Sequence, residues 1–472
     1  MSDLNPTANP DVGVTKKATR GYAMYVFWVM FSISFLNYLD RYVLSGAANV
    51  IARELGFGFA GIGGIASSFL IFYLLFTIPL GIVADRTKRK NVVAISVAIW
   101  SLATAFTAFA NSLLTLVISR TVLGIGEAGY FPAGTALMSD YFSRSRRSRI
   151  MSWWSIGQLI GILVGFVIGG VLAGIGKWRL AFIFTGIPGL LLAFLAWRLR
   201  EPRRNEADEE EIALYPYTLG QVAEIEEPHQ AIHISSNVFS QFGMLLRIKT
   251  LVVLIIMQIF AFFVLGVNLV FLPTYLQQLD IFGLSSGQAG LYSGAVIVMA
   301  GIVGTVLGGY MADWLNRRHQ GARVLVCGIG FLLSAPSFAL AITTHNFKVF
   351  SVFFIVTTIL LTLYTGPSTA ATQDVVPAIL RASAVAVSLF LAHLLGDAIA
   401  PTLVGVLASA FDPTHGQHFA HNVGGQDLAR ALLFTCTPAL LIAGLVGIFG
   451  ARWMRADVAT AQEADKLGLT SA

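Results

Sequence analysis

Charge is the scarcest feature of this 472-residue chain: Asp, Glu, Lys and Arg together make up 12% of it, while 56% is hydrophobic. Soluble domains carry about 25% charged residues, so a soluble protein is excluded and a polytopic membrane protein is indicated. Cysteine is nearly absent. Cys327 and Cys436 each lie inside an apolar run, so they read as packing residues and imply neither a disulfide framework nor a metal site. No nucleotide-binding loop, metal-ligand cluster or nucleophile constellation is found, which argues against an enzyme and against a cofactor. The first 20 residues are polar and include Lys16, Lys17 and Arg20, so no cleavable signal peptide is expected. The net charge of +6 follows from membrane topology and calls for no nucleic-acid partner.

What the chain does have is apolar runs of about 20 residues, each long enough to cross a bilayer as a helix. Twelve are read, at about 22–50, 60–84, 91–110, 112–141, 150–174, 179–199, 251–278, 286–312, 322–343, 348–372, 382–410 and 428–452. Between the sixth and seventh lies a segment too polar to enter lipid, containing Glu206-Ala-Asp-Glu-Glu-Glu211. The organisation expected is an N-terminal tail (1–21), a six-helix bundle (22–200), a linker (201–249), a second six-helix bundle (250–452) and a C-terminal tail (453–472). The linker has room for an amphipathic helix near Val238–Leu246.

Of the 31 Lys and Arg, 24 fall in the termini and even-numbered loops, five fall on the other side, and Arg41 and Arg120 lie within spans. The positive-inside bias therefore predicts that both termini and the linker are cytoplasmic, as for a multi-pass protein of a bacterial inner membrane.

The two halves repeat each other. Gly81, Ala84, Asp85, Arg89 and Lys90 after the second span match Gly309, Ala312, Asp313, Arg317 and Arg318 after the eighth, at a constant offset of 228. This doubled loop resembles the signature of the major facilitator superfamily. The resemblance implies an all-α integral membrane fold of twelve helices in two pseudo-symmetric bundles, with substrate held between halves that rock about a midplane site. Asp85 with Arg89, and Asp313 with Arg317, are then candidate gating groups. Each aspartate would meet a helix N-terminus of the opposite bundle, at the eleventh span for Asp85 and the fifth for Asp313, when the cytoplasmic side is shut.

A line of polar residues runs through the spans. Asp40 and Arg41 sit in the first, and Arg120 and Glu127 lie seven apart, about two turns, in the fourth. Intramembrane charges are costly and mark functional paths. Adjacent helical residues point about 100° apart, so Asp40 and Arg41 each seek a partner on another span, with Arg120 and Glu127 the natural ones. The second bundle is less charged: Asn268, Tyr364, His393 and Asp397 stand out, with His393 and Asp397 on one helix face as either a structural hydrogen-bonded pair or a cavity element. The fifth span has Gly157, Gly161, Gly165 and Gly169 at steps of four, which allows close helix packing and suggests a sliding contact with the eighth span. Gln158 beside this stripe could reach the cavity, and Trp153 with Trp154 reads as an interfacial belt.

Asn37-Tyr-Leu-Asp-Arg-Tyr42, Arg120 through Gly129, His393-Leu-Leu-Gly-Asp397 with Pro401, and the Arg200-Glu201-Pro202 ending of the sixth span resemble the spinster family. That family moves lysophospholipids and sphingosine phosphate in animals. The expectation is a proton-coupled transporter of an amphipathic anionic or zwitterionic substrate, a monomer in the lipid bilayer. Glu127 and Asp40 would carry the proton, and Arg41, Arg120, Asn268, Tyr364, Gln158 and His393 would bind substrate. Proton-driven transport of drugs or small organic anions is the alternative within transport, and a non-transporting receptor on the same scaffold is the alternative outside it.

Overall fold

The computed structural model describes residues 20–204, 206–209, 243–319 and 321–466. Most of the 201–249 linker lies outside the described residues, as does most of the helix expected near Val238–Leu246, of which Gly243–Leu245 form a single helical turn.

Among the described residues, twelve helical segments are long and apolar enough to cross a membrane: Gly21–Leu55, Phe59–Arg86, Arg89–Thr107, Leu113–Tyr141, Ser145–Gly174, Trp178–Arg198, Lys249–Gln277, Ser286–Asn316, Ala322–Thr343, Phe347–Val375, Ala378–Phe411 and Gly425–Asp465. They are called the first to twelfth spans. Helices suit the bilayer because every backbone polar group is satisfied within the segment. The outward faces stay apolar, with Leu75, Leu191 and Phe449 each more than 60% exposed, because lipid takes the place of water around them.

The half-repeat extends to irregularities that hydropathy does not reveal. The fourth span breaks at Gly129 into Leu113–Ala128 and Tyr130–Tyr141, and the tenth breaks into Phe347–Thr362 and Thr365–Val375. The first span runs to Leu55, beyond the expected end at 50, because Glu54 is held by Arg179 at 2.5 Å and by the indole of Trp178 at 2.6 Å. The tail expected after 452 is a helix, Met454–Lys466, docked on the second bundle. Its Met454 and Ala461 are buried, Asp457 accepts from the Thr250 N–H at 2.7 Å, and Asp465 accepts from the Ala378 N–H at 2.9 Å. Each carboxylate thereby satisfies a backbone donor at a helix start.

Packing corrects two expectations. The glycine stripe faces the first span: a Cβ on Gly161 would stand 3.0 Å from the Tyr38 Cβ and 3.1 Å from the Leu39 N, and one on Gly165 would stand 2.7 Å from the Leu39 O. The stripe thus seats the span that carries Asp40 and Arg41. The eighth span is met instead by the neighbouring face, through Leu163, Phe166, Gly170 and Val171 against Ser286 to Gly294. Trp154 is 2% exposed and donates to the Met30 carbonyl at 3.1 Å, so only Trp153, 55% exposed, fits an interfacial belt.

At the end bearing Asp85 and Asp313, the motif end, Arg89 pairs with Asp140 and Arg323 pairs with Asp374, each clasp spanning 51 residues of its own half. Arg323, rather than Arg317, is therefore the structural counterpart of Arg89. Arg317 caps its helix and is exposed. Asp85 and Asp313 are also exposed; Asp313 meets Arg323 of its own half at 3.3 Å.

The bundles meet toward the far end instead. Gly63 packs on the Pro401 backbone and Gly405 on that of Phe59, while the Ala60 N–H donates to the Ser409 hydroxyl at 3.3 Å. A buried carboxamide cluster crosses the interface there. Asn49 of the first bundle donates to Asn422 at 2.9 Å and to Gln277 at 3.4 Å, and Gln278 donates back to Asn49 at 3.1 Å. Asn422 belongs to the loop joining the last two spans, which is braced by His418 between Asp427 (2.8 Å) and Asp412 (3.3 Å).

The hydrogen bond to Asp427, with Asp412 and Asp280 also near, raises the His418 imidazole above its ordinary value of 6.5. A group raised on folding adds stability that is complete below its unfolded value and is lost as pH rises through the folded one. Amide exchange of residues 412–427, corrected for intrinsic rates, should therefore quicken as pH rises above that value. His418→Gln should flatten this dependence; an unchanged profile in the variant would assign it to another group.

Candidate substrate and proton site

Between the bundles lies a cavity of about 250 Å³. Its first-bundle wall includes Tyr38, Arg41, Tyr42, Phe69 and Arg120, and its second-bundle wall includes Phe262, Gly266, His393, Asp397 and Pro401. Of the expected substrate residues, Arg41, Arg120 and His393 line it. Asn268 lines a separate small pocket beside Phe354 and Thr358 and donates to the Val264 carbonyl at 2.7 Å. Tyr364 is buried at the break of the tenth span against Phe331. Gln158 is not among the lining residues. In this conformation these three are off the site.

The sequence around Glu127 places it by close packing. A Cβ on Gly124 would meet the second span at Tyr73 N, 3.2 Å away, and one on Gly126 would meet the third at Trp100 N, 2.8 Å away. Glycine at both positions lets two helices close on the fourth span, so Glu127 is directed at the first. There Arg41 Nε donates to its Oε2 at 2.6 Å, with the carboxylate fully buried and the arginine side chain 16% exposed. Of the two partners expected on the fourth span, Arg41 thus takes Glu127.

Among the described residues neither Nη of Arg41 is hydrogen-bonded, and the side chain lines the cavity. One edge of the guanidinium serves Glu127 while its outer donors remain for a ligand, the fork that suits a carboxylate or phosphate. Three rings surround it: Tyr73, Phe69 and Tyr38, with centroids 4.8, 5.0 and 5.1 Å from Cζ. The charge pattern of the chain does not point to this cage. Its available signal was Phe69 and Tyr73 four apart, one helix face, in the second span.

Deeper in the first bundle, Arg120 Nη1 donates to the Asp40 carbonyl at 3.0 Å and the guanidinium lies over Phe182. Asp40 is fully buried near Thr185, Arg120 and Thr104, yet neither of its carboxylate oxygens is in a close hydrogen bond, and Nε and Nη2 of Arg120 are equally orphaned. Buried polar groups are nearly always satisfied.

On the opposite wall, His393 Nδ1 lies 3.0 Å from Asp397 Oδ2 within a π-helical turn, His393–Asp397. Such turns are rare and concentrate at functional sites. Gly266 of the seventh span admits it, since a Cβ there would stand 2.5 Å from that of Asp397. Phe262 meets the imidazole edge-on at 4.6 Å. The cavity therefore has a cationic first-bundle wall and a second-bundle wall whose charge is the His393–Asp397 pair.

The family profile described as Major Facilitator Superfamily matches residues 30–401. The chain belongs to the major facilitator superfamily. Its architecture of twelve helices in two repeated six-helix halves is the fold of that superfamily. Among its relatives, protein spinster homolog 1 of Xenopus tropicalis is 25% identical over 454 residues, covering 91% of this chain and 79% of the relative. A probable L-galactonate transporter of Escherichia coli is 26% identical over 321 residues, covering 66% and 68%. A bacterial homologue of the human lysosomal transporter spinster, crystallised inward-facing and unoccupied, shares the fold with a TM-score of 0.79 at 23% identity, covering 93% of this chain and 99% of that one.

Proposed function

We propose that this major facilitator protein is a proton-coupled secondary transporter working by alternating access, carrying an amphipathic anionic or zwitterionic molecule of the lysophospholipid or sphingolipid kind. The observation that carries the reading is the two-edged Arg41, bound to buried Glu127 on one side and open to the inter-bundle cavity on the other. An anionic head group arriving at the outer donors shares the guanidinium charge with Glu127 and weakens its hold on the ionised carboxylate. Glu127, and behind it Asp40, then take the proton. The apolar remainder of the wall, including Leu44, Leu70 and Leu269, suits a lipid tail.

The cation asymmetry supports a cytoplasmic motif end. With the bundles joined at the far end, the cavity would then open inward. Asp85 and Asp313 stand exposed here because their gating partners would be met only in the opposite state. The transporter would act as a monomer in a bacterial inner membrane.

The relationship to an L-galactonate transporter favours one second reading, a small organic anion held by the same Arg41. Uptake into proteoliposomes, with and without an inward-acid pH gradient, separates the two. Lysophospholipids should accumulate in a gradient-dependent way while galactonate does not. Gradient-driven accumulation of galactonate alone would select the second reading, and the absence of gradient dependence for both would overturn proton coupling.

A further inference from the structure

Arg41 raises a problem that its ion pair does not solve. While Glu127 is ionised, the pair is neutral as a unit and tolerates burial. Once Glu127 takes a proton, a guanidinium only 16% exposed stands without its counter-charge, a state that breaks buried pairs at high cost. Asp397 is across the cavity but engaged with His393, and Asp40 lies behind the backbone carbonyl that holds Arg120.

We infer that the Tyr38, Phe69 and Tyr73 rings are the positioning device that keeps Arg41 at the substrate site while Glu127 is protonated. The geometry is specific to the cation. Three centroids lie within 5.1 Å of Cζ, inside the range of about 6 Å where ring faces attract a cation, an attraction that grows on desolvation. Phe69 and Tyr73 stack on each other 6.0 Å apart at 27°, presenting adjacent rings of one helix face.

The rings attract Arg41 in both protonation states, but the negative potential of their faces opposes a nearby carboxylate only when Glu127 is ionised. They therefore favour the state with Glu127 protonated and Arg41 free. Their second effect is to confine the guanidinium in that state, so that its outer donors stay aimed at the cavity for an arriving anion. The other titratable groups around the pair are Tyr42 on the first span, Tyr130 on the fourth, Arg120, Asp40 and the His393–Asp397 pair. None of these sits over the guanidinium as the three rings do.

This inference rests on the proposed proton role of Glu127, and the test separates the two. Full-length protein in nanodiscs, without substrate, is titrated by infrared difference spectroscopy; the carboxyl band lost in Glu127→Gln belongs to Glu127. Tyr73→Leu and Phe69→Leu should each move the midpoint of that band to lower pH by roughly one unit, tenfold in proton concentration. Tyr73→Phe, which keeps the ring face, should restore the wild-type midpoint. A leucine variant that folds with an unmoved midpoint overturns the cage and leaves the proton role standing, and Phe69→Leu provides this reading if Tyr73→Leu fails to fold. If Glu127→Gln removes no titrating band, the proton role and the cage fall together.

Discussion

Glu127→Gln is expected to abolish accumulation driven by a pH gradient while leaving substrate binding, and exchange down a concentration gradient, measurable. Glutamine matches glutamate in size and can still accept from Arg41 Nε, which now lies 2.6 Å from Oε2, but it cannot titrate. The variant is locked in a mimic of the protonated state, with Arg41 free to hold an anion and no proton to release. Loss of coupling should be complete to within detection, because a transporter that cannot change its proton occupancy cannot draw on the gradient. Binding should weaken little, since neither Nη donor is removed. Counterflow and gradient-driven uptake by the same reconstituted protein check both halves of the expectation. Wild-type accumulation by the variant would move the proton role to Asp40, the other buried carboxylate, whose oxygens have no close hydrogen bond.

The twelve spans and the repeated halves were legible because hydropathy and the Gly-Ala-Asp-Arg repeat report directly on what lipid and interfacial charge demand. The charged line was legible for a related reason: Asp40, Arg41, Arg120 and Glu127 are conspicuous against apolar neighbours. Which partner each takes depends on helix rotation within the bundle, which spacing along one chain does not determine. Glu127 therefore resolved to Arg41 only with the structure.

The same limit hid the role of the glycine stripe, because four glycines in register license close approach without naming the helix that approaches. Asn268, Tyr364 and Gln158 do not line the cavity in this conformation, and a polar residue in a span can also be satisfied locally, as Asn268 is by the Val264 carbonyl one turn back. The Asn49–Gln277–Gln278–Asn422 cluster gave little signal, being uncharged and assembled from distant stretches of sequence. Arg323 was passed over for Arg317 because the constant offset ignores the extra residues between the eighth and ninth spans. Spatial equivalence follows the clasp, not the count.

Arg41→Ala is expected to be the most damaging single change at the site, and the double variant Arg41→Ala/Glu127→Gln should reveal why. Removing the arginine deletes the 2.6 Å hydrogen bond from Nε to Glu127 Oε2 and leaves a fully buried carboxylate beside an emptied cage. Breaking a buried pair by removing one partner costs about 3–5 kcal/mol. That is a large share of a typical stability margin, so expression and thermal stability should both fall. Substrate binding should fall as well, because the outer guanidinium donors go with the side chain. Adding Glu127→Gln removes the stranded charge and should recover most of the stability, since the remaining amide is polar but neutral. It should recover none of the binding or transport. The two effects of Arg41 are thereby separated: one is electrostatic support of Glu127, the other is ligand capture at the cavity. Thermal unfolding of both variants in detergent, with binding of a spin-labelled lysophospholipid measured in parallel, gives the comparison. Equal destabilisation of the single and double variants would mean that the cost arises from lost packing against Tyr38, Phe69 and Tyr73 rather than from the buried charge. Restored binding in the double variant would remove Arg41 from the substrate site and shift the anion-binding role to Arg120, the other guanidinium lining the cavity.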